Sequence, residues 1–289
     1  IGTGSTSVQI VAEITKKVGK LSVFQRTAQW VYPLFDKLYS DKEKEKMRKD
    51  PTIGEKLHSR YTSFFNAFFP KLVTGNKVTQ FLVSYLCKWN LESKVKDPIL
   101  REKLRPNYQA GCKRLIIANG FYEAITSENA ELITDGIERI EPNGVRTSDG
   151  NLHELDVLII ATGFHAHNFM RPMEMVGLGG QSLKDAWSKG AYAHKTLTVP
   201  GFPNMFMLTG PNSPIGNFSL ININEHQISY IVQLIELWMS GHVDEIEPKA
   251  DKTREYNEEL QSSMLGTVWM TGCKSWYFDE FGKLAMWPW

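Results

Sequence analysis

Apolar residues at helical spacing follow a glycine turn at the start of the chain. Val8, Val11 and Ile14 recur near every 3.6 residues and predict a helix within residues 2–20 that ends at Gly19. The next segment, LSVFQ at 21–25, is short and rich in β-prone residues. It predicts a parallel strand directly after the helix.

The β pattern returns in the second part of the chain. Four short segments predict strands: 114–118, 130–134, 136–141 and 144–147, the last two joined by a Pro-Asn-Gly turn. Two continuous apolar runs, 156–161 and 205–209, are typical of strands buried on both faces. The longest helix is predicted over about 223–239, stopped at Gly241. Strands that alternate with helices predict an α/β doubly wound architecture.

Residues 35–109 have a different character. The segment is rich in charged residues, with a Lys/Glu/Asp run over 41–50. It also contains amphipathic stretches around 61–69 and 78–89. It predicts an all-helical insertion. The charge run is interpreted as a solvated helix face, with a binding tail as the alternative.

Composition narrows the class of protein. A length of 289 residues predicts about two domains, and a net charge of +1 gives no long-range attraction for nucleic acid or an anionic membrane. No apolar stretch is long enough to predict a transmembrane helix. The three cysteines match no zinc spacing, so a reducing, cytoplasmic location is the default expectation. The histidines show no metal-ligand spacing, and we predict no metal site.

The opening turn fits the glycine motif of dinucleotide-binding proteins. Gly2 would allow a tight turn, Gly4 would let a pyrophosphate approach, and Ser7 stands where a small residue allows close packing. The helix that follows would offer its N–H groups and positive dipole end to the phosphates. The alternative is a Gly/Ser loop that only caps a helix.

The residues after the first predicted strand favour NADP(H) over NAD. A site for NAD usually carries Asp or Glu about 20 residues after the motif, to bind the ribose 2′-hydroxyl. This chain has Gln25, Arg26 and Thr27 there, and a guanidinium can clamp a 2′-phosphate. An ordinary surface arginine is the alternative for Arg26.

Two further loops follow predicted strands. Thr162 and Gly163 come after the apolar run 156–161, at an edge where α/β proteins hold ligands, although a simple β-turn is equally consistent. The loop 210–217, GPNSPIGN, connects a predicted strand to a helix. It is either a loop that holds its backbone close to a ligand or a purely structural turn.

Together these segments resemble flavoprotein monooxygenases, the class that includes Baeyer–Villiger and flavin-containing monooxygenases. The matching segments run nearly from end to end: 2–10, 23–33, 112–116, 156–164, 201–219 and 275–277. The QRT-x-x-W and GPNSP segments and the helical insertion favour the Baeyer–Villiger branch. The resemblance implies two Rossmann-like domains: NADP-binding over 1–34 and 110–158, interrupted by the insertion 35–109, and the C-terminal part of an FAD-binding domain over 159–289.

The resemblance also implies cofactor-binding roles for individual residues. The turn and helix start would surround the NADP pyrophosphate through Gly2, Thr3, Gly4, Ser5, Thr6, Ser7 and Gln9. Arg26 and Thr27 would take the 2′-phosphate, and Trp276 would contact NADP. The FAD side would be formed by Thr162, Gly163, Gly210, Pro211, Asn212 and Ser213.

The implied reaction is oxygen insertion into a ketone, with NADPH, FAD and O₂, through a C4a-peroxyflavin. Arg114 matches the family arginine at the flavin face, the one catalytic residue that the resemblance implies. Only arginine is charged at every working pH, which suits an anionic intermediate. The alternative for Arg114 is an ion pair with a surface carboxylate at a strand end.

Two family signatures are not in this sequence: the first glycine fingerprint, which binds the FAD pyrophosphate, and F-x-G-x-x-x-H-x-x-x-W. His165 also stands where the family often has Asp. We therefore interpret the chain as a C-terminal fragment lacking the N-terminal FAD-binding half and expect it to be inactive alone. Two alternatives stay open: an N- or S-oxygenating flavin monooxygenase, and a non-catalytic NADP-binding fragment.

Overall fold

The computed structural model describes residues 1–170, 172–214 and 219–286. Residues 215–217 of the GPNSPIGN loop lie outside this range. The chain forms two compact units: Ile1–Ser40 with Val78–Phe164, and Asp41–Lys77 with His165–Trp289. The predicted insertion is thus divided between the units at Lys77. The assignment of one unit to NADP and the other to FAD stays a prediction.

The first unit is built on parallel strands. Its elements in chain order are α1 (Ser5–Ile14), β1 (Leu21–Phe24), β2 (Val31–Pro33), α4 (Lys77–Lys94), α5 (Pro98–Lys103), β3 (Ile116–Ala118), α6 (Phe121–Ile125), β4 (Ala130–Ile133), β5 (Ile137–Glu141), β6 (Gly144–Thr147) and β7 (Leu152–Glu154). β1 pairs with β4 and β2 with β3, both parallel, while β5, β6 and β7 form an antiparallel meander. The strands predicted near β1, β3, β4, β5 and β6 are therefore present, and β2 and β7 are additional.

The core of this unit joins α1 to both parallel strand pairs. Val8 and Val11 of α1, Val23 of β1 and Val31 of β2 are buried together with Leu91 of α4. β-Branched residues suit short buried strands, and the helical spacing of Val8 and Val11 turns one face of α1 onto the sheet. This packing fixes the start of α1 beside the end of β1.

The predicted buried strand at 156–161 is wrong. The segment is bonded to the first residue of the chain: Ile159 O accepts from the Ile1 amino group at 2.7 Å, and the Ala161 N–H donates to Ile1 O at 2.9 Å. It forms no regular strand, and Val157 and Ile160 are 74% and 66% exposed. An apolar run is buried only when both faces are covered, and the described residues of this unit do not cover them.

The second unit contains mainly helices. They are α2 (Asp41–Lys49), α3 (Thr52–Val73), α7 (Leu183–Ala186), α8 (Leu220–Met239) and α9 (Ala250–Ser263). The helix predicted over 223–239 is α8, and Gly241 follows it with a positive φ of 72°. No helix among the described residues has the length and hydropathy needed to cross a bilayer.

The second predicted buried strand, at 205–209, is also wrong. Met207 is buried in a cluster with Leu183 and Phe202, but Leu208 is 47% exposed and the segment has no strand conformation. The Met207 N–H donates to Leu197 O, and the Thr209 N–H donates to the side chain of Gln227. In the described part of this unit the segment is held by loops and side chains instead of a neighbouring strand.

Candidate functional site

The glycine turn lies at the end of β1. At Gly2 the surrounding backbone leaves no room for a side chain. Gly2 has φ 109°, and a Cβ there would collide with the carbonyl oxygen of Ala161. The Gly2 N–H donates to Phe24 O of β1 at 3.0 Å. Gly4 differs, because no atom lies within 4 Å of the position of its missing Cβ. Gly2 therefore allows the turn, and Gly4 leaves open space above it.

The N-terminus of α1 is free of a side-chain cap. The first intrahelical bond runs from the Val8 N–H to Gly4 O at 3.0 Å, and no side chain caps Gly4. Ser7 is buried, and its hydroxyl donates to Gly2 O at 2.5 Å. Thr6 and Gln9 are exposed on this helix, and Ser5 is partly buried. Free N–H groups and the positive end of the helix dipole favour an anion here.

The turn is tied directly to the segment after β1. Thr3 is buried, and its hydroxyl donates to Thr27 O at 2.9 Å. On the other side of Arg26, buried Gln25 donates from its backbone to Ile133 O and from its side chain to Lys103 O. Arg26 itself is exposed, and no described carboxylate pairs with it. Arg26 therefore has no described ion pair and directly precedes the residue that is bonded to the glycine turn.

A second cation, Lys113, lies near Arg26. Burial, and then the positive charge of Arg26, lower the pKa of the Lys113 ammonium from its ordinary value. The two positive charges therefore repel each other. The sequence reasoning missed Lys113, although it precedes Arg114 in the quoted segment 112–116.

Arg114 follows Lys113 just before β3. Its side chain is exposed and has no hydrogen bond or ion pair within the described residues. The alternative of a strand-end ion pair is therefore not observed there. Its catalytic role stays a prediction.

The predicted FAD-side residues fall in both units. Thr162 and Gly163 are exposed in the first unit, where Gly163 has φ 102° and open space about its Cβ position. The backbone bond between Ala161 and Ile1 brings this segment next to the glycine turn.

The loop containing Gly210, Pro211, Asn212 and Ser213 lies in the second unit and is held by buried polar contacts. Gly210 has no room for a side chain, because a Cβ would collide with Thr196 O. Asn212 donates to the side-chain oxygen of Asn257 at 3.2 Å. The buried Ser213 hydroxyl has no partner in the described structure.

Trp276 also belongs to the second unit and is 41% exposed. Its ring lies 4.7 Å from that of Tyr277 in an edge-to-face arrangement. His167 contacts its carbonyl oxygen at 2.7 Å. Within the described ranges no group of three His, Cys, Asp or Glu residues could hold a metal ion.

Fold and site define an α/β protein with a glycine turn, an uncapped helix N-terminus and two cations.

No family model matches the chain. The chain is 44% identical over 288 residues to an uncharacterized monooxygenase of Mycobacterium tuberculosis, covering 100% of this chain and 58% of that protein. It is 34% identical over 291 residues to a Baeyer–Villiger monooxygenase of Pseudomonas aeruginosa, covering 100% of this chain and 55% of that protein.

Comparison with solved structures points to the same class of protein as these relatives. A crystal structure of OTEMO in complex with FAD and NADP matches with a TM-score of 0.84 and 25% identity, covering 99% of this chain and 61% of that one. The α/β fold and the resemblance to flavoprotein monooxygenases are therefore confirmed. The chain spans less than two thirds of the length of these relatives.

Proposed function

We propose that this chain contributes the NADPH-binding site and part of the FAD site of a Baeyer–Villiger monooxygenase. The reaction would convert a ketone, O₂, NADPH and a proton into an ester, NADP⁺ and water. The observation that carries the proposal is that Arg26, for which no ion pair is described, directly precedes Thr27, whose carbonyl oxygen accepts a hydrogen bond from Thr3 of the glycine turn. The names of the relatives support the reaction class.

The glycine turn fits a nicotinamide dinucleotide. The open space above Gly4 and the uncapped start of α1 would accept a pyrophosphate, with Ser5, Thr6 and Gln9 around it. Arg26 and Lys113 would share the 2′-phosphate, and Thr27 would lie beside it. Burial, and then repulsion from Arg26, lower the pKa of Lys113, and a phosphate between the two cations would relieve the repulsion. NAD(H), which lacks this phosphate, would leave the repulsion in place.

The residues present also fit part of an FAD site. In the first unit, the open space about the Cβ position of Gly163 lets a ligand meet its backbone closely. In the second unit, the orphaned Ser213 hydroxyl can accept or donate a hydrogen bond. When bound, FAD would supply the activation of O₂ that protein side chains cannot perform. FAD-binding roles are also proposed for Thr162 of the first unit and for Gly210, Pro211 and Asn212 of the second, and an NADP-binding role for Trp276.

Arg114 is proposed as the catalytic residue. It would hold a permanent positive charge where negative charge develops during oxygen transfer, and it has no described partner that would neutralise it. A lysine would be a poorer substitute, because a compact ammonium cannot reproduce the planar fork of a guanidinium.

The function is tested with the full-length protein, NADPH, cyclohexanone as a representative cyclic ketone, and ¹⁸O₂. We expect NADPH oxidation coupled to an ester that carries one ¹⁸O atom, measured by mass spectrometry. Arg114→Ala should reduce the rate of ester formation about 10²- to 10³-fold, with anaerobic flavin reduction affected less. Arg114→Lys should restore only part of that loss.

A trialkylamine and a thioether are assayed in parallel as matched substrates. Oxygenation of either, with several ketones left unchanged, would contradict the Baeyer–Villiger assignment and favour heteroatom oxygenation. NADPH binding without oxidation of any substrate would favour a non-catalytic dinucleotide-binding protein. An Arg114→Ala variant with a wild-type rate of ester formation would remove Arg114 from the mechanism.

A further inference from the structure

Tyr108 is bonded to the segment that directly follows Arg26 and Thr27. Its hydroxyl donates toward Gln29 Oε1 at 2.8 Å and Ala28 O at 3.2 Å. Its backbone carbonyl accepts from the indole N–H of Trp30 at 2.7 Å. Residue 108 is thereby fixed against residues 28–30 through both its side chain and its backbone.

The ring of Tyr108 also contacts Lys113. The Lys113 Nζ lies 4.5 Å from the ring centroid, well within the reach of a cation–π interaction. This attraction opposes two unfavourable effects at Lys113, partial burial and the charge of Arg26. Without the ring, the flexible lysine side chain would be free to move its ammonium away from Arg26 into water.

We propose that Tyr108 is a positioning residue for the selection of NADPH over NADH: its ring holds the Lys113 ammonium beside Arg26, and its hydroxyl fixes the segment that follows Arg26. The inference rests on the proposed function, because it takes Arg26 and Lys113 as the receptors of the 2′-phosphate. Tyr108 acts on the ligand through Lys113.

The expected advantage is preorganisation. Holding two cations side by side before the ligand arrives costs free energy, and the folded protein offsets part of it with the ring contact. The lysine side chain then loses less conformational entropy when the ligand binds. A ligand without the 2′-phosphate gains nothing from this arrangement, so the effect is confined to phosphate-bearing ligands.

The test measures binding of 2′,5′-ADP and 5′-AMP to the full-length protein by calorimetry. These probes differ in the 2′-phosphate and need no flavin chemistry. Tyr108→Leu should weaken 2′,5′-ADP about 2- to 30-fold, the range of a cation–π contact, and leave 5′-AMP nearly unchanged. Tyr108→Phe keeps the ring but loses the hydroxyl bonds, and it should weaken 2′,5′-ADP less than Tyr108→Leu does. In turnover, Tyr108→Leu should raise KM for NADPH with little change in kcat.

A double-mutant cycle separates positioning through Lys113 from a general structural role. In a Lys113→Met background, Tyr108→Leu should have little further effect on 2′,5′-ADP, because the side chain on which it acts is gone. An equal loss in both backgrounds, or equal weakening of 5′-AMP, would overturn the inference while leaving the phosphate site intact. If Arg26→Ala and Lys113→Met both leave 2′,5′-ADP binding unchanged, the proposed phosphate site fails, and the role of Tyr108 fails with it.

Discussion

Replacing Arg26 with alanine removes the charge on which the NADPH assignment depends. The side chain is exposed and no described carboxylate pairs with it, so the folded protein loses no described attractive interaction. We therefore expect the free energy of unfolding to change by less than about 0.5 kcal/mol. The effect should appear in cofactor binding alone.

The magnitude follows from the bond that is lost. A hydrogen bond to a charged group contributes about 1.5–3 kcal/mol, which corresponds to about 10- to 150-fold in the dissociation constant. Because Lys113, the second proposed ligand of the 2′-phosphate, would remain, the lower half of this range is expected for Arg26→Ala. The loss for NADH should be small, because NADH has no 2′-phosphate.

The assay is the dissociation constant for NADPH and NADH, measured by nicotinamide fluorescence with the full-length protein. Arg26→Lys keeps the charge without the planar fork and should fall between wild type and Arg26→Ala. Arg60→Ala on α3, also an exposed arginine, is the matched control and should change neither constant. Equal weakening of NADPH and NADH binding by Arg26→Ala would show that Arg26 supports the fold, and the NADPH assignment would lose its main support.

Three other predictions concern a lysine, a cysteine and a leucine of the first unit. Burial and the charge of Arg26 lower the pKa of Lys113, so affinity for NADPH should fall with rising alkaline pH as the ammonium loses its proton; Lys113→Arg should abolish this fall, and a matching fall for NADH would contradict it. Burial raises the pKa of the Cys87 thiol to about 12, so iodoacetamide at pH 8 should leave Cys87 unmodified in the folded protein, as read by peptide mass spectrometry; rapid alkylation would refute its burial. Leu91→Ala in the core should lower the free energy of unfolding by about 2–5 kcal/mol in urea titrations, whereas exposed Ile99→Ala should change it by less than about 0.5 kcal/mol.

Local patterns predicted the elements that depend on their own residues. α1 follows from the spacing of Val8 and Val11, and the β5–β6 hairpin follows from its Pro-Asn-Gly turn. The site residues Thr3 and Arg26 were identified because the glycine turn and the base after β1 stand at fixed distances in dinucleotide-binding chains. These features need little information from distant parts of the sequence.

The failures concern segments whose structure depends on what covers them. The runs 156–161 and 205–209 have the composition of buried strands, yet a strand also needs a hydrogen-bonding partner along its length. The described structure gives 159–161 only Ile1 as a partner, and it holds Met207 and Thr209 through a loop and a side chain. Composition alone cannot distinguish an apolar segment that pairs with a neighbouring strand from one that does not.

Lys113 shows a different limit of sequence reasoning. The residues around Arg26 do not indicate that this lysine lies near it, because 87 positions separate the two (113 − 26 = 87) and the four helices α2 to α5 intervene. Lys113 comes close to the segment after Arg26 because Tyr108 is bonded to residues 28–30 and its ring lies under the Lys113 ammonium. The signal that could have found it is the Tyr-x₄-Lys spacing before the arginine that was already singled out. Aromatic side chains close to a cluster of cations therefore merit inspection, because they can stabilise a cationic site before its anion arrives.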